Sequence, residues 1–157
     1  MDHVKVAVVR SNLGEALALA GLSGRMKGVD SLSEEGNIGL MACEISSRLK
    51  TTVAVTGAVD AIANGSRTVL CRNGHPLMGR VTGMGCSATA VVAAFVAVNP
   101  DPLTAAAQAL SYFGLCGELA AKGAEGPGSF EVALRDRLYG IGRKELHGGQ
   151  ALEELEP

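Results

Sequence analysis

A glycine-rich turn at residues 80–86 leads directly into an almost wholly apolar segment, and this junction constrains the fold more than any other feature. Gly83 and Gly85 leave backbone N–H groups unobstructed where a helix over residues 86–98 is predicted to begin. Unpaired amides and the helix dipole make such a helix start a site for anions, and phosphate suits it best. The alternative is that the glycines only let a strand turn tightly into a helix.

Short β-branched runs alternate with segments of helical spacing along the rest of the chain. Buried strands are predicted at residues 4–9 and 52–56, and residues 59–63 and 67–71 predict a hairpin around Asn64-Gly65. Further helices are predicted over residues 13–20, 31–48, 102–121 and 129–139, the second behind a capping box of Ser31 and Glu34. This order predicts an α/β fold built in layers.

The two ends of the chain are predicted to differ from its middle. Residues 142–157 are polar and acidic, so we expect a frayed or loosely helical tail after a folded region at residues 1–141. Only about four strands are visible, and the chain opens directly on one of them. We therefore expect a sheet that is incomplete at its N-terminal side.

Composition excludes several classes of protein. A net charge of −2 without a cluster of Lys and Arg disfavours nucleic acid as a partner. The four cysteines form no C-x-x-C pair, which disfavours a zinc site or a disulfide framework and favours a reducing cytoplasm. The longest apolar run, residues 88–98, is too short to cross a membrane and predicts a buried core helix instead.

A set of separated segments resembles one known family. They occur in this order along the chain: residues 8–15, 18–21, 27–31, 53–60, 73–78 and 81–86. Together they are similar to the hydroxyethylthiazole kinases, the thiamine-salvage members of the ribokinase-like kinases. The family's members are considerably longer than this chain. The resemblance implies a layered ribokinase-like sandwich, incomplete at its N-terminal side, with residues 1–141 as the C-terminal part of the kinase domain.

The resemblance also implies an activity and a set of site residues. The activity is transfer of phosphate from ATP, with Mg²⁺, to the hydroxyl of 4-methyl-5-(2-hydroxyethyl)thiazole, in a cytoplasmic homotrimer. It assigns Met84, Gly85 and Cys86 to catalysis, Gly83 to substrate binding, Arg10, Thr56 and Gly57 to ATP, and Asn12 and Glu15 to the metal. Related sugar kinases carry Asp where Cys86 stands, and positive charge at a helix start favours the thiolate form of a cysteine.

Each of these residues also has a simpler interpretation. Asn12 and Glu15 are typical of a helix cap, and Arg10 of a surface charge at a strand end. Cys86 is typical of a small buried hydrophobe, as are the other three cysteines. His75 is interpreted as a solvent-exposed or loop-bracing histidine, and Asp60, left without a role, as a partner within its own turn. Two other functions stay open: a remnant that binds nucleotide without catalysis, and a Cys86–His75 nucleophile enzyme.

Overall fold

A five-stranded sheet with helices on both faces organises the chain in its computed structural model, which describes residues 4–23 and 35–155. The strands lie side by side in chain order, the first pair parallel and the others antiparallel. They are β1 (Val8–Asn12), β2 (Thr52–Thr56), β3 (Asp60–Asn64), β4 (Arg67–Cys71) and β5 (Leu152–Leu155).

Helices and a 3₁₀ turn connect or cover these strands in the described part of the chain. The helices are α1 (Leu13–Leu19), α2 (Glu35–Leu49), α3 (Met84–Val96), α4 (Pro102–Ala121), α5 (Pro127–Gly140) and α6 (Arg143–Gly149), and the 3₁₀ turn is Pro76–Arg80. The parallel pair β1 and β2 is joined through α1 and α2, as parallel strands require a crossover.

Alternation along the strands divides the core into two layers. Val53, Val55 and Leu70 point to the face covered by α1 and α2. Ala54 and Ile62 point to the opposite face, where α4 lies between the sheet and the neighbouring helices α3 and α5. Burial of apolar area on both faces accounts for the apolar runs of the central strands.

Several predicted elements are confirmed at their predicted bounds, and others are shifted. The strands at 52–56 and 67–71 and the helix at 102–121 are confirmed. The first strand lies at Val8–Asn12 rather than 4–9, and α3 begins two residues before the predicted 86. In the hairpin Asn64 pairs with Arg67, so the turn is Gly65-Ser66, with Gly65 at φ +62°. The Ser31–Glu34 capping box lies outside the described residues.

The polar tail forms the helix α6 and a strand that joins the sheet, so the helical alternative holds for residues 143–149 and the expectation of a frayed end is wrong. Its strand β5 pairs with β4, so that β4 is not an edge. Glu153 lies 2.8 Å from Arg72 and Glu154 lies 3.4 Å from Arg67, which places acidic side chains opposite basic ones. Such exposed pairs add little stability, but they favour this register over a like-charged one.

Helix α3 is less buried than its apolar sequence predicts. Ala88 and Val92 are buried, whereas Ala90 and Ala93 are exposed and Val98, just after the helix, is 83% exposed. The prediction of a buried core helix is therefore wrong for one of its faces. In the part of the chain that the structure describes, no helix has the length and apolarity needed to cross a bilayer.

Candidate functional site

A cavity of about 600 Å³ opens where β1 and β2 end, between the sheet and helices α3 and α4. Its sheet side is formed by Arg10, Asn12, Thr56, Gly57 and Asp60. The loop at residues 73–79, the first turn of α3 and the buried face of α4 form the other walls. The carboxyl ends of parallel strands are the usual place for ligands in open α/β sheets.

Arg10 connects three elements at this cavity. Its Nη1 donates a hydrogen bond to Thr56 Oγ1 at 3.3 Å, and Thr56 Oγ1 in turn donates to the carbonyl of Ser11 at 3.3 Å. A β-carbon added to Gly85 would lie 3.1 Å from Nη2 of Arg10, so the guanidinium sits directly against the first turn of α3. Its Nε is buried without a hydrogen-bond partner among the described residues. Arg10 is therefore more than the surface charge of the simpler interpretation.

The start of α3 carries positive potential that its own residues do not neutralise. Gly83 precedes the helix at φ +89°, a left-handed conformation that suits glycine, and it has no side chain to cap the first amides. The first turn contains no acidic residue. The helix dipole and the Arg10 guanidinium thus act on the same small region, which is the arrangement that binds an anion.

Asn12 and Glu15 form the helix cap that the simpler interpretation predicts. Asn12 Oδ1 accepts from the Glu15 amide at 2.9 Å, and Glu15 Oε2 accepts from the Asn12 amide at 3.1 Å. Asn12 also lines the cavity. Across residues 4–23 and 35–155 no group of three or more His, Cys, Asp or Glu is placed to hold a metal. The structure therefore shows Asn12 and Glu15 in their capping role, and their assignment to the metal stays a prediction.

Asp60 is a site residue to which sequence reasoning gave no role. Its Oδ1 accepts a hydrogen bond from the Gly57 amide at 2.9 Å, which closes the β2–β3 turn as predicted. Burial raises the pKa of its carboxyl to about 6, against the opposing effects of the Gly57 N–H and the Arg10 charge. The sequence offered only an Asp at a strand end, whereas burial and the neighbouring cation follow from the tertiary fold.

The four cysteines differ in burial, and Cys43, predicted to be buried, is half-buried and donates a hydrogen bond to the Gly65 carbonyl at 2.8 Å. Burial raises the pKa of Cys71 to about 12 and that of Cys116 to about 11, which fits the inert, buried thiols predicted for them. Cys86 is exposed on the first turn of α3, so the alternative of a buried hydrophobe is wrong for it. Among the described residues, Gly83, Cys86 and Glu15 lie outside the cavity lining, whereas Met84 and Gly85 belong to it.

The loop at residues 73–79 is held in place by a buried asparagine. Asn73 Oδ1 accepts from Ser111 Oγ at 2.7 Å and from the Ala151 amide at 2.8 Å. Its Nδ2 donates to Glu118 Oε1 at 3.0 Å and to the Gly149 carbonyl at 2.8 Å. All four hydrogen-bonding positions of the amide are thus used, and they join α4 and the C-terminal segment to the loop.

Two further contacts fix the same loop. Glu118 Oε1 also accepts from the Gly74 amide at 2.9 Å. His75 Nδ1 accepts from the Leu77 amide at 3.3 Å, so this histidine braces the loop as predicted while lining the cavity. Nothing in the sequence around Asn73 indicated these contacts, because four of its partners lie 38 to 78 residues away.

Comparison with known proteins agrees with this geometry. The model of the hydroxyethylthiazole kinase family matches residues 1–144. The chain belongs to the hydroxyethylthiazole kinase family. A hydroxyethylthiazole kinase of Desulfatibacillum aliphaticivorans is 44% identical over 99% of this chain and 58% of its own length. One of Cereibacter sphaeroides is 47% identical over 96% of this chain and 57% of its own length.

A solved structure shows that the fold is also that of the family. The hydroxyethylthiazole kinase of Pyrococcus horikoshii OT3 superposes with a TM-score of 0.85 at 40% identity, over 96% of this chain and 56% of its own. The α/β ribokinase-like sandwich is thereby confirmed. The chain spans less than three fifths of the length of these hydroxyethylthiazole kinases. That the sandwich is incomplete at its N-terminal side stays a prediction.

Gly114→Ala is expected to disturb the cavity loop of this family member. A β-carbon at Gly114 would collide with the backbone carbonyl of Asn73, which the network described above holds in place. We expect a loss of about 1 to 3 kcal/mol in the free energy of unfolding, measured by urea denaturation. Gly128→Ala in α5 is the control, because nothing lies within 4 Å of its added carbon. Equal stability of the two variants would contradict the packing described here.

Asp60→Asn is expected to stabilise the protein at neutral pH. The asparagine keeps an acceptor for Gly57 but avoids the cost of ionising a buried carboxyl, whose pKa rises from 3.8 to about 6 on folding. Stability of the parent should therefore fall, relative to the variant, as pH rises from about 4 to above 6. At about pH 7 the variant should be more stable by about 2 to 3 kcal/mol.

The measurement is urea denaturation of parent and variant over that pH range and down to about pH 3. At about pH 3 the difference should largely vanish, because both the folded and the unfolded carboxyl are then mostly protonated. Asp136→Asn on the exposed side of α5 removes the same charge without burial and should show little pH-dependent difference. A pH-independent difference for Asp60→Asn would mean that the carboxyl is not desolvated as described.

Proposed function

We propose that this protein transfers the γ-phosphate of ATP to the hydroxyl of 4-methyl-5-(2-hydroxyethyl)thiazole, as a step in thiamine biosynthesis or salvage. The observation that carries the proposal is the guanidinium of Arg10 against the first turn of α3, at a cavity formed by the strand ends. Family membership supports the same activity, since the relatives compared above are named for it.

The residues present suit the phosphates of ATP. The buried Arg10 Nε lacks a partner among the described residues, and phosphate oxygens are strong acceptors for a guanidinium. The lack of a β-carbon at Gly85 leaves room beside Arg10 for close approach to the backbone amides of α3. Thr56 and Gly57 border the same cavity, which supports their assignment to ATP.

The proposed chemistry asks mainly for positioning and charge neutralisation. The hydroxyl oxygen of the thiazole forms a bond to the γ-phosphorus while the bond to the ADP oxygen breaks. Arg10 and the amides of Met84, Gly85 and Cys86 would stabilise the negative charge on the transferred group. The thiol of Cys86, at the first turn of α3, is the proposed acceptor of the hydroxyl proton, and Gly83 the proposed substrate contact.

We propose that magnesium binds at this site together with the phosphates of ATP. When bound with ATP, Mg²⁺ neutralises phosphate charge, and it usually takes few protein ligands. Asn12 and Glu15 would hold it. The capping box engages only Oε2 of Glu15, and a carboxylate has a second oxygen for such a role. We keep the metal assignment of both residues as part of the proposal.

The setting of the activity is proposed from the family resemblance. Residues 1–141 would act as part of a ribokinase-like kinase domain, in a cytoplasmic homotrimer that takes a small thiazole alcohol as substrate. Residues 142–157, predicted as a separate polar tail, support the site through Gly149 and Ala151, which bond to Asn73. We therefore expect the tail to be required for the shape of the cavity.

The direct test is ADP release from Mg·ATP by this chain, with and without the hydroxyethylthiazole. Thiazole-dependent ADP release is the expected result. A soluble, folded protein that binds ATP without any thiazole-dependent turnover would instead support the nucleotide-binding remnant. Rapid inactivation by a thiol reagent, without protection by ATP, would revive a Cys86 nucleophile.

Gly85→Val should abolish this activity. Its side chain would press on Arg10 and occupy the approach to the α3 amides, so we expect turnover to fall by about 100-fold or more. The control is Gly128→Val, which changes the corresponding second position of α5, where nothing lies within 4 Å of an added β-carbon. Turnover of the Gly85 variant at the parent rate would remove the anion site from the mechanism.

Cys86→Asp should keep substantial thiazole-dependent activity in the same assay. A carboxylate at this position can accept a proton, as the aspartate of the related sugar kinases does by resemblance. Cys86→Ala is the matched control, because it lacks any acceptor. If Asp and Ala variants lose activity equally, the role of proton acceptor at position 86 is wrong.

A further inference from the structure

Asp60 is a buried carboxyl at the cavity that the proposed reaction leaves without a task. It is the first residue of β3, beside the end of β2, where Val55 pairs with Ala61. The alternation of side chains places it on the same face of the sheet as Thr56 and Arg10. All three residues line the cavity.

The Asp60 carboxylate acts on two neighbours to which the proposed function assigns nucleotide binding, on Gly57 through a hydrogen bond and on Arg10 through its charge. Its Oδ1 accepts from the Gly57 amide at 2.9 Å. Its charge also attracts the Arg10 guanidinium, which lowers the pKa of the carboxyl against the larger effect of burial. Arg10 meanwhile reaches Thr56 with Nη1 and lies against Gly85 with Nη2.

Closing the β2–β3 turn does not by itself require a charge here. An asparagine would accept the same hydrogen bond from Gly57 without the cost of ionising a buried group. Arg10 is the cation whose charge favours the ionised form of Asp60, and the neighbouring Cys71 thiol, whose pKa burial raises to about 12, is neutral. We therefore expect the negative charge of Asp60 to matter for the position of Arg10 rather than for the β2–β3 turn.

We propose that Asp60 is a positioning residue whose carboxylate orients the Arg10 guanidinium toward the first turn of α3 and fixes the Gly57 amide at the cavity. The proposal rests on the proposed function, because it takes Arg10 and Gly57 as nucleotide-binding groups. Asp60 itself does not contact the reacting atoms. Its effect reaches the nucleotide only through these two neighbours.

The test compares Asp60→Asn with the parent chain by two readouts. The first is the Nε–Hε signal of Arg10 in NMR spectra, assigned by its loss in Arg10→Lys. The second is the dissociation constant for Mg·ATP, measured by calorimetry at about pH 8, where the parent carboxyl is ionised. Asp136→Asn, on the exposed side of α5, is the matched control for removal of one negative charge.

We expect the Arg10 signal to shift or broaden in Asp60→Asn, and ATP to bind about tenfold more weakly. The control should leave both readouts at the parent values. An unchanged Arg10 signal would overturn the proposal, and so would a moved Arg10 signal with parent-like ATP affinity. If the parent binds no ATP while the Arg10 signal still moves, the proposed function fails, and the effect of Asp60 on Arg10 stands by itself.

Discussion

Close packing of small residues along α4 is the constraint on which the rest of the structure depends. Most of this helix of 20 residues is buried, and Ala105, Ala106 and Ala109 are fully so. Small side chains let the helix approach the sheet, α3 and α5 at once. The closest approach is at Gly114, because the backbone of Asn73 occupies the space where a β-carbon would be. The cavity wall at residues 73–79 therefore depends on α4.

The cavity wall at residues 73–79 also depends on the C-terminal segment that follows α5. Asn73 binds α4 through Ser111 and the segment through Ala151 and Gly149, so one amide joins three parts of the molecule. In a buried network each partner removed leaves a polar group unpaired, which costs more than the hydrogen bond itself contributes. The segment that follows α5 is consequently part of the architecture of the site, although it lines no wall of the cavity.

The sequence predicted local structure well where periodicity and turn chemistry agree, as at β2, the hairpin and α4. It failed where tertiary context decides. Residues 152–155 have the composition of an acidic tail, and their backbone pairing with β4, with Glu153 beside Arg72 and Glu154 beside Arg67, makes them the strand β5. Arg10 and Gly85 were assigned to the site by resemblance, yet their contact across the chain, like the burial of Asp60, has no sequence signal. Burial and long-range charge follow from packing, which no local pattern encodes.

Several features that reduce stability lie together at the cavity. Arg10 leaves a buried Nε without a partner among the described residues, and Asp60 holds a carboxyl that burial drives toward its neutral form. The first turn of α3 has neither a capping side chain nor an acidic residue to offset its dipole. Substitutions at Arg10, at Asp60 or at the start of α3 would remove each of these unfavourable free-energy contributions in the protein without ligand. A bound phosphate would offset those at Arg10 and at α3, and the Arg10 charge partly offsets the cost at Asp60. The uncapped start of α3 and the buried Nε of Arg10 thus lie together at one cavity, where an anionic ligand would stabilise both.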